Sequence, residues 1–219
     1  MNIILQHFDG DLRTLDKLSV KNIKEYANMV GADYELIRGK PFRSHLTPAC
    51  QKVFMLDESF DKYDQVLMID IDMFATKGLK ENVFDVPGIG LVEEVQHHWH
   101  KVLSSHMRNE GYPYWGGAIY KMDRYTRQTL RSGLGVDETW MLKYNKPFKC
   151  EDEGIIHELS IRTKYKTLLP NLERKWCYCS FLPYPQTASF IHIRTKITPD
   201  GPKREKIENY KALVEKGII

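Results

Sequence analysis

Residues 63–74, YDQVLMIDIDMF, bring two carboxylates, Asp70 and Asp72, to the end of an apolar run that shows no alternation. Such a run fits a strand buried on both faces, and ligands of open α/β sheets collect at the carboxyl ends of these strands. On an extended chain, side chains two residues apart point to one side of the backbone, so both acids would face one site. Hard divalent cations, Mn²⁺ or Mg²⁺, take oxygen ligands and tolerate phosphate oxygens beside them. An ion bridging a diphosphate in this way neutralises charge on a leaving group. Paired acids at a strand end are also common as solvated loop residues. The buried run before this pair, and Met73-Phe74 after it, favour the site.

The pair needs elements to hold it. Residues 2–7 (NIILQH) form a first apolar run, broken at Asp9-Gly10 as a buried strand ends in a loop. Ile23, Tyr26, Ala27 and Val30 keep helical spacing, and Gly31 stands where a helix C-cap would sit. Residues 33–37 (DYELI) predict a second strand, and residues 48–60 a further helix with Val53, Leu56 and Phe60 on one face. Strand candidates follow at 90–94 and 117–120, helices at 124–131 and 153–160, and late strands at 165–169 and 190–193. The tail, 199–219, is charged and then amphipathic, which predicts a terminal helix on the outside. Strands and helices alternate in the first half. The expected fold is therefore α/β, a single domain with a mostly parallel central sheet flanked by helices.

Composition narrows the class. The 219 residues are 42% hydrophobic, enough for one core, and no linker or repeat divides them. The formal net charge is +3, with Lys and Arg interleaved among acids, so no basic stripe points to nucleic acid. No apolar stretch approaches the ~20 residues of a membrane span. The start runs straight into a strand with no basic leader or cleavage signature, so the expectation is a soluble, unprocessed, cytoplasmic protein or a domain cut from a longer chain. Cys50, Cys150, Cys177 and Cys179 lack paired C-x-x-C steps and read as buried thiols of a reducing compartment.

The run VLMIDIDMF resembles the Asp-x-Asp segment of the GT-A-fold, Rossmann-like glycosyltransferases, especially the glycogenin-like and bacterial galactosyltransferase-like groups. Other segments fall in that family's order. SVKNIKEYANMVGADYELI is similar to its first crossover helix and second strand, and YWGGAIYKMDR to the small-residue strand lining the donor pocket. EDEGIIHEL resembles the acidic segment that opens the next helix, LLPNLERKWC the strand and Trp before the last ligand, and FIHIRTK the late segment whose His completes a metal site. In compactness the chain is similar to the small glycosyltransferase domains of large algal DNA viruses.

The resemblance implies transfer of a hexose or deoxyhexose from a UDP-sugar to a hydroxyl of a glycan or glycoprotein, retaining slightly favoured over inverting, with Mn²⁺ or Mg²⁺. It implies a donor-binding half over about residues 1–95 and an acceptor and metal-completing half over about 96–219. Asp70, Asp72 and His192 would bind the metal, with Asp70 also meeting the donor. Gln6, His7 and Phe8 would line the nucleoside pocket, and Lys52 would contact the donor. Gly116 and Gly117 would let backbone approach the sugar. Arg194 and Lys196 would meet the phosphates; the family commonly has Gly where Arg194 stands. Asp152 and Glu153 would act on acceptor or donor, although acids at a helix N-terminus also suit its dipole.

Other readings of single residues are blander. His97, His98 and His100 around Trp99 read as a surface loop, Trp115 as core or the floor of a sugar site, and Lys203, Arg204 and Lys206 as a solvated face. The competing functions are three. A haloacid-dehalogenase-type phosphatase also uses Asp-x-Asp, but on its first strand and with Thr or Val where Phe74 stands. A sugar-1-phosphate nucleotidyltransferase needs a glycine-rich, arginine-containing loop that QHFDGDL lacks. A non-catalytic nucleotide-sugar-binding module would keep the site without turnover.

Overall fold

The structure is a computed structural model and describes residues 1–91, 107, 109–145, 151–167, 170–195 and 205–219. In chain order it has β1 (Asn2–Phe8), α1 (Thr14–Met29), β2 (Asp33–Arg38), β3 (Gln65–Ile69), β4 (Met73–Ala75), β5 (Ile119–Asp123), α2 (Arg124–Ser132), α3 (Glu151–Arg162), β6 (Tyr178–Cys179), β7 (Phe190–His192) and α4 (Lys206–Glu215). The central sheet runs β2-β1-β3-β5. β1 pairs parallel with β2 and β3, and β5 closes the edge antiparallel to β3. This is the mostly parallel α/β sheet that the alternation predicts. Of a small second sheet, β4-β7-β6, the sequence predicts β7, within 190–193; β4 and β6, of three and two residues, are too short to carry a period-2 signal.

The apolar runs of β1 and β3 are continuous because both faces are covered. Ile3, Leu5, Val66 and Met68 face one cluster, completed by Leu46, Val53, Leu56 and Phe60 and by Ile155 and Leu159 of α3. Ile4, Leu67 and Ile69 face the other, completed by Ile23, Tyr26 and Ala27 of α1 and by Trp176 and Phe190. Period-2 alternation thus survives as a division between two cores. A third cluster seats α4, through Leu213, on Phe74, Ile191 and Ile193. Among the described residues no helix is long and apolar enough to cross a membrane.

Several boundaries depart from the sequence expectation, each for a local reason. Residues 48–60 form two 3-10 helices, Ala49–Leu56 and Glu58–Phe60, rather than one α-helix. Asp57 is extended between them, and its carboxylate accepts from the Ser59 N–H to restart the turn. The strand expected at 117–120 begins at Ile119 instead, because the Gly117 N–H and carbonyl are committed to Glu153 and Lys52. Gly90 contributes one bridge to Tyr120, and residues 92–94 lie outside the described residues. Residues 165–167 are not a strand: Lys164 turns left-handed at φ 53° and the Tyr165 N–H caps α3 on the Ser160 carbonyl. Residues 168–169, His97, His98, Trp99, His100, Cys150, Lys203 and Arg204 also lie outside the described residues. Trp115 is fully buried core.

The segment feeding β3 is tied down by α2. Arg127, fully buried, donates to the carbonyls of Phe60, Tyr63 and Met122. Arg131 grips Asp61 with two parallel bonds of 3.0 and 2.6 Å, which hold the Asp61 carboxyl down at about 2. A depressed carboxylate stabilises the fold above its unfolded value and loses that contribution as pH falls through the folded one. The pair is partly exposed, so screening limits it to about 1 kcal/mol. Asp61→Asn is expected to lower stability by about that amount at pH 7. In urea titrations the gap from the parent should shrink between the unfolded carboxylate range and about pH 2; a gap unchanged with pH would refute the assignment.

Candidate active site

The two acids reach the site through a turn that joins the two sheets. Past β3, the Asp70 N–H donates to the Ala118 carbonyl at 3.0 Å, continuing the pairing with the β5 side by one step. The chain then turns at Ile71-Asp72, and the Met73 N–H closes back on the Asp70 carbonyl at 3.2 Å. The carboxylates therefore share a site across a turn, rather than as alternate side chains of one extended strand. Beyond the turn, the Ile193 N–H donates to the Asp72 carbonyl at 2.9 Å, and β4 pairs with β7 so that Met73 stands opposite His192. That register brings a residue 120 positions later against the acid pair.

The turn is held from below by the fully buried Gln6 and Ser19. Gln6 Nε2 donates to the Asp70 carbonyl at 3.1 Å and to Ser19 Oγ at 3.0 Å, while its Oε1 accepts from Tyr34 Oη at 2.9 Å. Ser19, on α1, donates in turn to the Met73 carbonyl at 2.6 Å. Gln6 is 0% exposed with both amide atoms engaged, so it positions Asp70 instead of lining the cavity.

At the carboxyl ends of β1 and β3 opens a cavity of about 380 Å³. His7, Phe8 and Asp9 lie at the β1 end, with Asp70, Asp72, His192 and Arg194 on the turn and second-sheet side. Lys52, Gly117, Asp152 and Glu153 line the opposite wall. Most of the residues singled out from sequence thus come together. Gly116 is buried behind the wall, its N–H donating to the Leu91 carbonyl, and does not line the cavity. Lys196 lies outside the described residues.

Among the described residues, Asp70, Asp72 and His192 form a cluster whose ligand atoms all lie within 4.8 Å of one another. His192 Nε2 stands 3.2 Å from Asp72 Oδ1 and 3.7 Å from Asp70 Oδ2. Each acid gives its other oxygen to a lysine: Asp70 Oδ1 to Lys52 at 2.7 Å, and Asp72 Oδ2 to Lys206 at the start of α4. Burial opposes ionisation of Asp72, but His192 and Lys206 outweigh it and hold the carboxyl well below the usual range. The donor set, two carboxylate oxygens and an imidazole nitrogen, can hold a divalent metal ion.

The opposite wall is a buried charge network. Lys52, 8% exposed, bridges Asp70, the Gly117 carbonyl and Asp152 Oδ2, the last at 3.0 Å. Burial would strip its proton, yet Asp152 and Asp70 reverse that and raise its pKa. Asp152 is lifted to about 7, chiefly by burial, against the pull of Lys52. Glu153 accepts from the Gly117 N–H at 2.6 Å. A Cβ at Gly117 would lie 2.7 Å from Asp152 Oδ2, so only glycine lets this strand lead-in pass so close to the acids.

Sequence reasoning missed Ser19, Asp9 and Lys206. Asp9 directly follows β1 and was legible by position. Ser19 and Lys206 carried no local signal, since each meets the site only through the tertiary arrangement of α1 and α4.

No family model and no curated protein sequence matches the chain. Its fold, however, is shared with solved glycosyltransferases. A glycosyltransferase involved in glycosylation of the major capsid of PBCV-1 superposes with a TM-score of 0.61 at 11% identity, covering 97% of this chain and 98% of that one. The glycosyltransferase GlyE of Streptococcus pneumoniae TIGR4 superposes with a TM-score of 0.51 at 11% identity, covering 95% of this chain and 59% of that one. At these identities the likeness is one of fold, and it bears out the glycosyltransferase-like α/β architecture read from the sequence.

Proposed function

We propose that the protein is a metal-dependent glycosyltransferase moving a hexosyl or deoxyhexosyl group from a UDP-sugar to a hydroxyl of a glycan or glycoprotein acceptor. The observation that carries this reading is the convergence of Asp70 Oδ2, Asp72 Oδ1 and His192 Nε2 beside the cavity where the parallel strands end. When bound there, Mn²⁺ or Mg²⁺ would neutralise charge on the departing diphosphate. Arg194, lining the same wall as His192, adds a fixed cation for the phosphates, with Lys196 as its expected partner. His7 and Phe8 close the cavity where the nucleoside would lie, and Gly117 gives the sugar a wall with no side chain. Lys52 holds Asp70 and Asp152 in a fixed relation, so the donor meets a preorganised charge pattern.

Stereochemistry turns on the same wall. Glu153 is held on the Gly117 N–H and Asp152 on Lys52, an arrangement suited to steering a donor, which favours retention. Inversion is the second reading, favoured by the Asp152 carboxyl lying at about 7, the range of a general base. The anomeric configuration of the product, read by proton NMR, separates them.

A haloacid-dehalogenase-type phosphatase would place its Asp pair after the first strand; here the pair follows β3, the third. The test is a panel of UDP-sugars assayed for UDP release with Mn²⁺, with chelator, and with Mn²⁺ restored. One sugar should be turned over, turnover should stop with chelator, and the ion should restore it. Phosphate release from simple phosphate esters without sugar turnover would overturn the proposal in favour of the phosphatase. Tight UDP binding with no turnover of any donor or acceptor would favour the binding module.

A further inference from the structure

Asp72 carries an interaction that a metal ligand does not need. Its Oδ2 is held by the ammonium of Lys206, the first residue of α4, and its Oδ1 faces His192. The other acid, Asp70, is likewise held by Lys52. The two lysines are not equivalent. Lys52 is nearly enclosed, with its side chain 10% exposed and three oxygen partners, so its head has nowhere else to go. The Lys206 side chain is 32% exposed on a long flexible stem, and its contact with the site is through Asp72.

The helix that delivers Lys206 is anchored independently of that contact. Leu213 is buried against the third core cluster, and the Tyr210 ring lies 4.9 Å from that of Phe74. Asn209 Nδ2 donates to the Arg194 carbonyl. Releasing the lysine head would leave α4 seated. A divalent ion on Asp72 Oδ1 would meet a positive charge already on the same carboxylate, and at this separation like charges repel strongly in a partly buried site.

We propose that Lys206 is the resident counter-cation of the metal site: it occupies Asp72 when no divalent ion is bound and gives way to the ion on loading. The inference rests on the metal-binding reading of Asp70, Asp72 and His192. It assigns Lys206 the role of holding the Asp72 carboxylate in its orientation until an ion binds, at the cost of affinity for free metal.

The experiment is calorimetric titration of the intact protein with Mn²⁺ alone, without nucleotide or acceptor. Lys206→Met should bind Mn²⁺ roughly three- to tenfold more tightly than the parent, the range expected for removing a partly exposed charge competitor. Lys206→Arg, which keeps the charge, should stay within about twofold of the parent. Thermal melting of both variants should show that α4 remains folded. Equal or weaker Mn²⁺ binding by a folded Lys206→Met would overturn the exchange while leaving the metal site in place. Absence of Mn²⁺ binding from parent and both variants would overturn the metal reading itself, and the exchange with it. If Lys206→Met fails to fold, Lys206→Gln repeats the test, and affinity equal to the parent's overturns the proposal.

Discussion

Under the proposed function, replacing Asp70 and Asp72 together by Ala is expected to reduce glycosyl transfer by at least about 10³-fold, because the electrostatic help at a leaving diphosphate is usually the largest single contribution to such a reaction. The same variant should show no calorimetric Mn²⁺ binding. The expectation follows from geometry as well as from residue type. Asp70 Oδ2 and Asp72 Oδ1 are the oxygens turned toward His192, while their partner oxygens are occupied by lysines. Removing both acids therefore removes two of the three converging ligand atoms and leaves a lone imidazole, which cannot hold a hard divalent ion in competition with water. The fold should survive. Lys52 keeps Asp152 and the Gly117 carbonyl, Lys206 can turn to solvent, and the turn itself is pinned through backbone atoms by Gln6 and Ser19. Transfer that persists with its metal dependence intact would remove these residues from the metal site.

The sequence made the core of this arrangement legible for a physical reason. A strand buried on both faces reads as an unbroken apolar run, and VLMI in β3 does so plainly, ending where its two acids begin. His192 is marked by the resemblance of FIHIRTK to the family's late segment, and nothing in its spacing ties it to the acid pair. The structure supplies the link: the β4–β7 pairing sets Met73 opposite His192. The extended reading of Asp70 and Asp72 failed locally but not in outcome. The turn at Ile71 is stabilised by the Asp70 carbonyl accepting from Met73, and both carboxylates still converge.

What stayed hidden was what depends on two distant segments at once. Nothing in NIKEY or its neighbours marks Ser19 as the brace under the turn. Lys206 lies in a stretch whose alternating charges look like a solvated face, and only the packing of Leu213 and Tyr210 aims it at Asp72. The sequence marks Lys52 as a cation for the donor, and it does line the cavity. Its position inside a 3-10 helix, facing α3, also sets it between two acids of the protein, which the sequence does not show. Charge partners of this kind are set by tertiary geometry, and sequence spacing carries almost no information about them.

Lys52 is also where the second large effect is expected. Lys52→Met should destabilise the fold by about 3–5 kcal/mol in urea denaturation at pH 7, the cost of removing the shared cation of a buried network and leaving Asp70, Asp152 and the Gly117 carbonyl without their common donor. An ordinary exposed lysine would cost under about 1 kcal/mol. The difference is decided by burial: Lys52 is 8% exposed, Asp152 is 5% exposed, and the Gly117 carbonyl loses its donor as well. Adding Asp152→Asn should recover part of the loss, and more of it as pH rises above about 7, where the carboxyl would otherwise be charged without its counter-cation; that pH-dependent rescue separates charge imbalance from lost packing. Activity should not return with stability. Asp70 Oδ1 would still lack the ammonium that orients it, so kcat/KM of the folded double variant should remain down by about 10²-fold, as expected when a metal ligand loses its supporting bond. A single Lys52→Met costing less than about 1 kcal/mol would show the network to be hydrated and the buried pairing unimportant. A double variant that regains full activity would show that Asp70 finds its orientation from the backbone turn alone.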